Sequence, residues 1–153
     1  MNKYSVILCL GSNVDQADHI DYARRILSER FDNVRLTRNL WTEPVGPSPA
    51  RYLNCLAAFD TKLSYSDLNS MLKGIEREMG RNAEDKAEHL VKIDIDILKY
   101  DHTPYHLQDW ERSYVKQLMK EIRGKREEGR GKREEGRVKN EELRVKNEES
   151  TRS

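Results

Sequence analysis

Two periods of apolar and polar residues run along this chain, and the switches between them mark its elements. Tyr4 to Leu10 is a short apolar run stopped by Gly11-Ser12-Asn13, which predicts a buried first strand leaving on a turn. From Ile20 to Phe31 the apolar positions are Ile20, Ala23, Ile26, Leu27 and Phe31, the spacing of one helical face, with Asp18 placed to cap it. Even spacing returns at Val34, Leu36 and Leu40, so Val34 to Thr42 is read as a second strand. Asn54 to Thr61 is apolar on both faces and predicts a central strand. Ser64 with Asp67 forms a capping box ahead of Leu68, Met71, Leu72, Ile75 and Met79, a helix closed by Gly80. Lys92 to Lys99 alternates again, with Ile93, Ile95 and Ile97 on one face and Asp94 and Asp96 on the other. A last helix is expected over Asp109 to Ile122, where Trp110, Tyr114, Leu118 and Ile122 stand four apart.

The predicted order is β-α-β-β-α-β-α. Its simplest layering is an α+β fold: a ferredoxin-like β-α-β-β-α-β sheet with helices on one face and an added C-terminal helix. Between the second and third strands lies Glu43 to Arg51, which holds three of the four prolines and is therefore a stiff, non-helical loop.

Charge changes the picture only at the C-terminal end. Residues 123–153 contain 11 Lys/Arg and 8 Asp/Glu, leaving 17 and 19 in residues 1–122, so the body is mildly acidic and no nucleic-acid partner is expected. Residues 123–150 are four seven-residue units: RGKREEG twice, then RVKNEEL and RVKNEES. Their apolar members, Val138, Leu143 and Val145, set no continuous seam, so a disordered extension or solvated helix is expected instead of a coiled coil. A nucleic-acid or partner-binding arm is the alternative. The domain division is thus 1–122 and 123–153. Val6 to Leu10 is too short for a signal-peptide core or a membrane span, and Cys9 and Cys55 sit in apolar strands as buried thiols. A cytoplasmic protein is expected.

Candidate chemistry centres on Asp94 and Asp96. On one face of a strand their Cα atoms lie roughly 6–7 Å apart, and such a pair suits Mg²⁺, which takes one or two carboxylates and completes its shell with phosphates. An acidic exposed strand face is the alternative. With Leu10-Gly11-Ser12-Asn13, Thr42-Glu43-Pro44-Val45-Gly46-Pro47, Tyr52-Leu53-Asn54, Ile75-Glu76, Gly80-Arg81 and Ile93-Asp94-Ile95-Asp96-Ile97-Leu98, in that order, the chain resembles the 6-hydroxymethyl-7,8-dihydropterin pyrophosphokinases of folate biosynthesis.

The resemblance implies an ATP-dependent diphosphokinase with ATP and dihydropterin as substrates, acting as a monomer. It implies that Asp94 and Asp96 hold two magnesium ions. Thr42, Glu43, Pro44, Val45, Tyr52, Asn54 and Tyr114 would bind the pterin. Glu76, Arg81, Ile97, His106 and Arg112 would contact ATP, and Arg81 would also serve catalysis. One stretch departs from the family: where typical members have Arg-Trp-Gly-Pro-Arg, this chain has Ala87-Glu88-His89-Leu90-Val91 followed by Lys92. Strand alternation favours Lys92 over Lys86 as the replacement cation. A pterin- or nucleotide-binding protein with little turnover is the alternative to an enzyme.

Overall fold

The computed structural model describes residues 3–44, 46–80 and 82–135, and beyond Gly124 only the course of a helix. Its strands are β1 (Tyr4–Ser12), β2 (Arg35–Leu36), β3 (Leu40–Thr42), β4 (Tyr52–Thr61), β5 (Asp94–Tyr100) and β6 (Thr103–Pro104). The helices are α1 (Gln16–Arg30), α2 (Tyr65–Glu78), α3 (Ala83–Ala87), α4 (Leu107–Trp110) and α5 (Ser113–Glu135). The class is α+β, as expected. β1 is central: it pairs antiparallel with β4 along its whole length and with β5 on its other side. β2 and β3 both pair with β4, and β6 extends β5 at its far end.

One predicted strand is two short ones because of Thr37. This buried residue donates its N–H to Leu56 O (3.0 Å), and its Oγ1 accepts from Leu56 N (2.9 Å), so a side chain takes the place of a ladder acceptor. Asp18 is not the cap of α1. Asp15 occupies that position in a left-handed conformation, and Asp18 lies in the first turn, where its charge meets the positive end of the helix. Ser64 does cap α2, its side chain accepting from Asp67 N at 3.1 Å. Gly80 follows α2 with φ +97°, a turn that a side chain would strain.

The sheet has two unlike faces. Val6, Leu8 and Leu10 of β1, Leu53, Cys55, Ala57 and Phe59 of β4, and Ile93, Ile95 and Ile97 pack under α1 and α2. The opposite face carries Leu56, Ala58 and Leu98 against Val115, Leu118, Met119 and Ile122 of α5. A bulge admits Leu98 to this second face, where the β1–β5 register shifts between Ile7 and Leu8. The last helix therefore covers the face left bare by the other two, and it covers only part of it. α5 runs on to Glu135, past the expected boundary at 122, and residues 136–153 lie outside the described residues. Among the described residues no helix is long and apolar enough to cross a membrane.

Candidate active site

The uncovered end of the second face is a cleft of about 260 Å³, and strand register builds its floor. Gly11 of β1 stands opposite Asn54 on one side and Asp94 on the other; two positions further along, on the same face, Cys9 stands between Leu56 and Asp96. With strands roughly 4.8 Å apart, Asn54 and Asp94 flank Gly11, one strand spacing away on either side and about 10 Å from each other. A Cβ at Gly11 would lie 3.1 Å from Asn54 Oδ1, so the glycine keeps the gap open. Asn54 is buried, and its Nδ2 donates to Thr42 Oγ1 (2.8 Å) and Leu40 O (3.3 Å). That anchoring turns its oxygen toward the cleft above Gly11.

Thr42, Tyr52, Tyr114, Asp109 and Arg112 form the walls. Burial and the nearby Asp94 charge push the Tyr52 hydroxyl up from its ordinary value against an opposing hydrogen bond with Ser48. Tyr114 lies over Cys9, its hydroxyl 3.8 Å from Sγ. Burial drives both groups well above their ordinary ranges, so both are neutral at physiological pH. Arg112 donates to Asp109 Oδ1 at 2.9 Å, a contact that outweighs the lowering effect of burial and raises its pKa.

Asn13 joins two loops, the one that carries Ser48 and the one that carries His89 and Val91. This buried residue donates from Nδ2 to Ser48 Oγ (2.9 Å) and to His89 O (2.8 Å), while its Oδ1 accepts from Val91 N (2.6 Å). Between the loops is a second cavity of about 210 Å³, and Lys86 and Lys92 both line it. The Lys92 Nζ donates to Gly80 O (2.8 Å) and pairs with Asp85 (3.1 Å). The alternation runs back to Ile93, which packs in the core with Ile95 and Ile97, but the Lys92 ammonium is tied by those two contacts.

At Ile95 the outer edge of β5 has no strand beside it among the described residues, and side chains from α2 fill the place of one. Glu76, only 2% exposed, accepts from Ile95 N at 2.7 Å, and Lys73 Nζ donates to Ile95 O at 3.2 Å and to Glu76 at 3.0 Å. Lys73 Nζ is also 3.7 Å from Asp96 Oδ1, and His106 Nε2 is 4.0 Å from the same oxygen. Partial burial pulls the Lys73 pKa down, but the Glu76 hydrogen bond and the charges of Glu76, Asp94 and Asp96 raise it above the usual lysine value. Lys73 is thus a held, protonated ammonium beside the carboxylate pair.

Of the expected site residues, Thr42, Tyr52, Asn54, Asp94, Asp96, Arg112 and Tyr114 line one cleft. Glu43 and Pro44 are exposed beside Thr42, and His106 stands at the edge next to Asp96. Glu76 and Ile97 do not reach the cleft with their side chains: Glu76 is spent on the β5 edge, and Ile97 is buried under the helices of the other face. Val45 and Arg81 lie outside the described residues. Cys9, Gly11, Asn13, Lys73 and Asp109 were not foreseen. Asp94 and Asp96 offer a divalent ion two hard oxygen donors, and no cluster of three or more His, Cys, Asp or Glu able to hold a metal exists among the described residues. That donor set fits Mg²⁺, which leaves most of its shell to phosphates and water.

Residues 7–124 match the family described as 7,8-dihydro-6-hydroxymethylpterin-pyrophosphokinase. The chain is 32% identical over 131 residues to the 2-amino-4-hydroxy-6-hydroxymethyldihydropteridine pyrophosphokinase of Porphyromonas gingivalis, covering 76% of this chain and 89% of that protein. It is 30% identical over 132 residues to the mitochondrial folate synthesis bifunctional protein of Pisum sativum, spanning 78% of this chain and 25% of the plant protein. A folate synthesis bifunctional protein of Arabidopsis thaliana is 31% identical over 130 residues. The chain belongs to the 7,8-dihydro-6-hydroxymethylpterin-pyrophosphokinase family, a family of transferase enzymes.

Proposed function

We propose that this member of the pyrophosphokinase family transfers pyrophosphate from ATP to 6-hydroxymethyl-7,8-dihydropterin in the cytoplasm, as a magnesium-dependent monomer. The observation that carries the reading is the row Asn54–Gly11–Asp94: a side-chain amide and a carboxylate flank a gap kept open by a glycine. A flat heterocycle lying over Gly11 meets the Asn54 amide at its donor and acceptor edge and the rings of Tyr52 and Tyr114 at its faces. Its hydroxymethyl group then points toward Asp94 and Asp96.

The reaction asks little covalent chemistry of the protein. The hydroxymethyl oxygen attacks the β-phosphorus, a new O–P bond forms, the bond to the α-phosphate oxygen breaks, and AMP leaves while the hydroxyl proton is lost. The chain's work is to align the two reactants and to surround the phosphates with positive charge. Two magnesium ions, held by Asp94 and Asp96, would supply Lewis-acid neutralisation of the phosphate oxygens. The sheet order β2/β3, β4, β1, β5, with α1 and α2 on one face, supports the ferredoxin-like reading. Residues 1–122 are taken as the catalytic unit and 123–153 as an extension without a part in the chemistry.

The test is AMP formation from ATP, Mg²⁺ and 6-hydroxymethyl-dihydropterin, beside a variant carrying Asp94→Ala and Asp96→Ala. AMP made only with pterin, and lost in the variant, supports the reading. Tight pterin binding without AMP would favour a binding protein, a second reading prompted by Val91 standing where the family has its loop arginine while the nearby Lys92 is held by Gly80 and Asp85.

A further inference from the structure

We propose that the hydroxyl of Tyr114 selects the pterin by its side arm, donating a hydrogen bond to the hydroxymethyl oxygen of the bound substrate. This rests on the pyrophosphokinase reading, which lays the heterocycle over Gly11 and points its arm at Asp94 and Asp96. That reading uses the Tyr114 ring as a flat wall and leaves the hydroxyl at its tip without a part.

The hydroxyl stands at the arm's end of the cleft. Gly11 and Cys9 are the residues of β1 that line it, and a step of two strand residues is roughly 6–7 Å, the scale of a bicyclic ring with a one-carbon arm. Cys9 pairs with Asp96 across the strands, and the Tyr114 hydroxyl lies 3.8 Å from the Cys9 sulfur. The other two phenol and alcohol groups of the cleft belong to the ring's end: Thr42 receives the Asn54 amide at 2.8 Å, and Tyr52 bonds Ser48 and lies beside Gly11.

A sulfur is a weak acceptor, so a half-buried phenol bonded to one gains when a better acceptor arrives. An alcohol oxygen is such an acceptor, and turning the O–H from sulfur to it needs only rotation about the phenol C–O bond. Asp94 and Asp96 accept hydrogen bonds and cannot donate them, so they do not serve the arm in this way. The phenol keeps its proton across the physiological range, and burial strengthens that hold. A site with its donor so placed discriminates against a side arm that lacks oxygen, because a methyl group would leave the phenol with sulfur alone.

Stacking alone is the competing role, and two ligands that differ by one oxygen separate them. The full chain and Tyr114→Phe are each saturated with Mg²⁺ and α,β-methylene-ATP. Calorimetry then follows the binding of 6-hydroxymethyl-7,8-dihydropterin and of 6-methyl-7,8-dihydropterin. Losing one neutral hydrogen bond is expected to weaken the hydroxymethyl ligand about fivefold in Tyr114→Phe and the methyl ligand less than about twofold. An equal loss for both pterins leaves only a stacking wall and overturns the proposal, as does no loss for either. Weaker binding of the nucleotide analogue by Tyr114→Phe, with the pterins unaffected, would give the hydroxyl to a phosphate and overturn it too. A Tyr114→Phe chain that fails to fold makes the hydroxyl a structural group, with the same result. An unsubstituted chain that binds both pterins alike overturns the proposal and leaves the pyrophosphokinase reading standing. One that binds neither refutes that reading, and the role of Tyr114 falls with it.

Discussion

The two faces of the sheet are built from the same strands and put to opposite uses. Leu8, Leu10, Ile93 and Ile95 point under α1 and α2 and are sealed; Cys9, Gly11, Asp94 and Asp96, the residues between them or next in line, point to the face where α5 stops short. A strand with one buried and one open face delivers two chemistries from neighbouring positions, because successive side chains alternate. The sealed face supplies rigidity, and the open face spends it: the carboxylates are fixed because the isoleucines between and beside them are locked in the core. Stability and activity should therefore separate cleanly between the faces.

The sharpest break comes from replacing Asp94 and Asp96 together with alanine. AMP formation should fall by about a thousandfold or more, as expected for losing the phosphate-side charge stabilisation, while the thermal midpoint moves by only a few degrees. Unaltered turnover would mean that the open face is not the site. Leu10→Ala, one position from Gly11 on the sealed face, should do the reverse. A cost of about 3 kcal/mol in urea unfolding is expected, with turnover per folded molecule unchanged. Asn13→Ala strips Val91 N and His89 O of their buried partner, so a loss of about 1–3 kcal/mol and faster proteolysis between residues 82 and 91 should follow. Gly11→Ala crowds Asn54 without opening a cavity. Pterin affinity should drop about tenfold at nearly constant stability, a difference of about 1.4 kcal/mol readable by calorimetry. The smallest effect concerns Cys9, whose burial keeps the thiol neutral: iodoacetamide at pH 8 should label it far more slowly than free cysteine, measured by mass spectrometry.

Alternation and helical spacing made the long elements legible, because burial on one face imposes a period that polar residues cannot imitate. They failed where a single side chain overrides the period. Thr37 interrupts an evenly spaced strand by bonding Leu56 through its hydroxyl, and nothing in the spacing of Val34, Leu36 and Leu40 signals it. The Asp94–Asp96 pair was readable for the same reason as the strand. The same alternation does not reveal that Lys92 spends its ammonium on Gly80 and Asp85. Lys73 and Glu76 stand at unremarkable polar positions of an amphipathic helix. Their importance depends on α2 lying against the unpaired edge of β5, a fact of sheet order that local spacing does not encode.

That arrangement at Ile95 has a consequence for the protein's solution behaviour. A bare strand edge rich in isoleucine is a template on which other chains can stack, the usual starting point of aggregation. Here the N–H and the carbonyl of Ile95 are already taken by a carboxylate and an ammonium from the same molecule. The groups that hold the candidate site in shape thereby also deny neighbouring molecules a place to dock, so the reactive edge can stay open to small ligands without becoming adhesive to proteins.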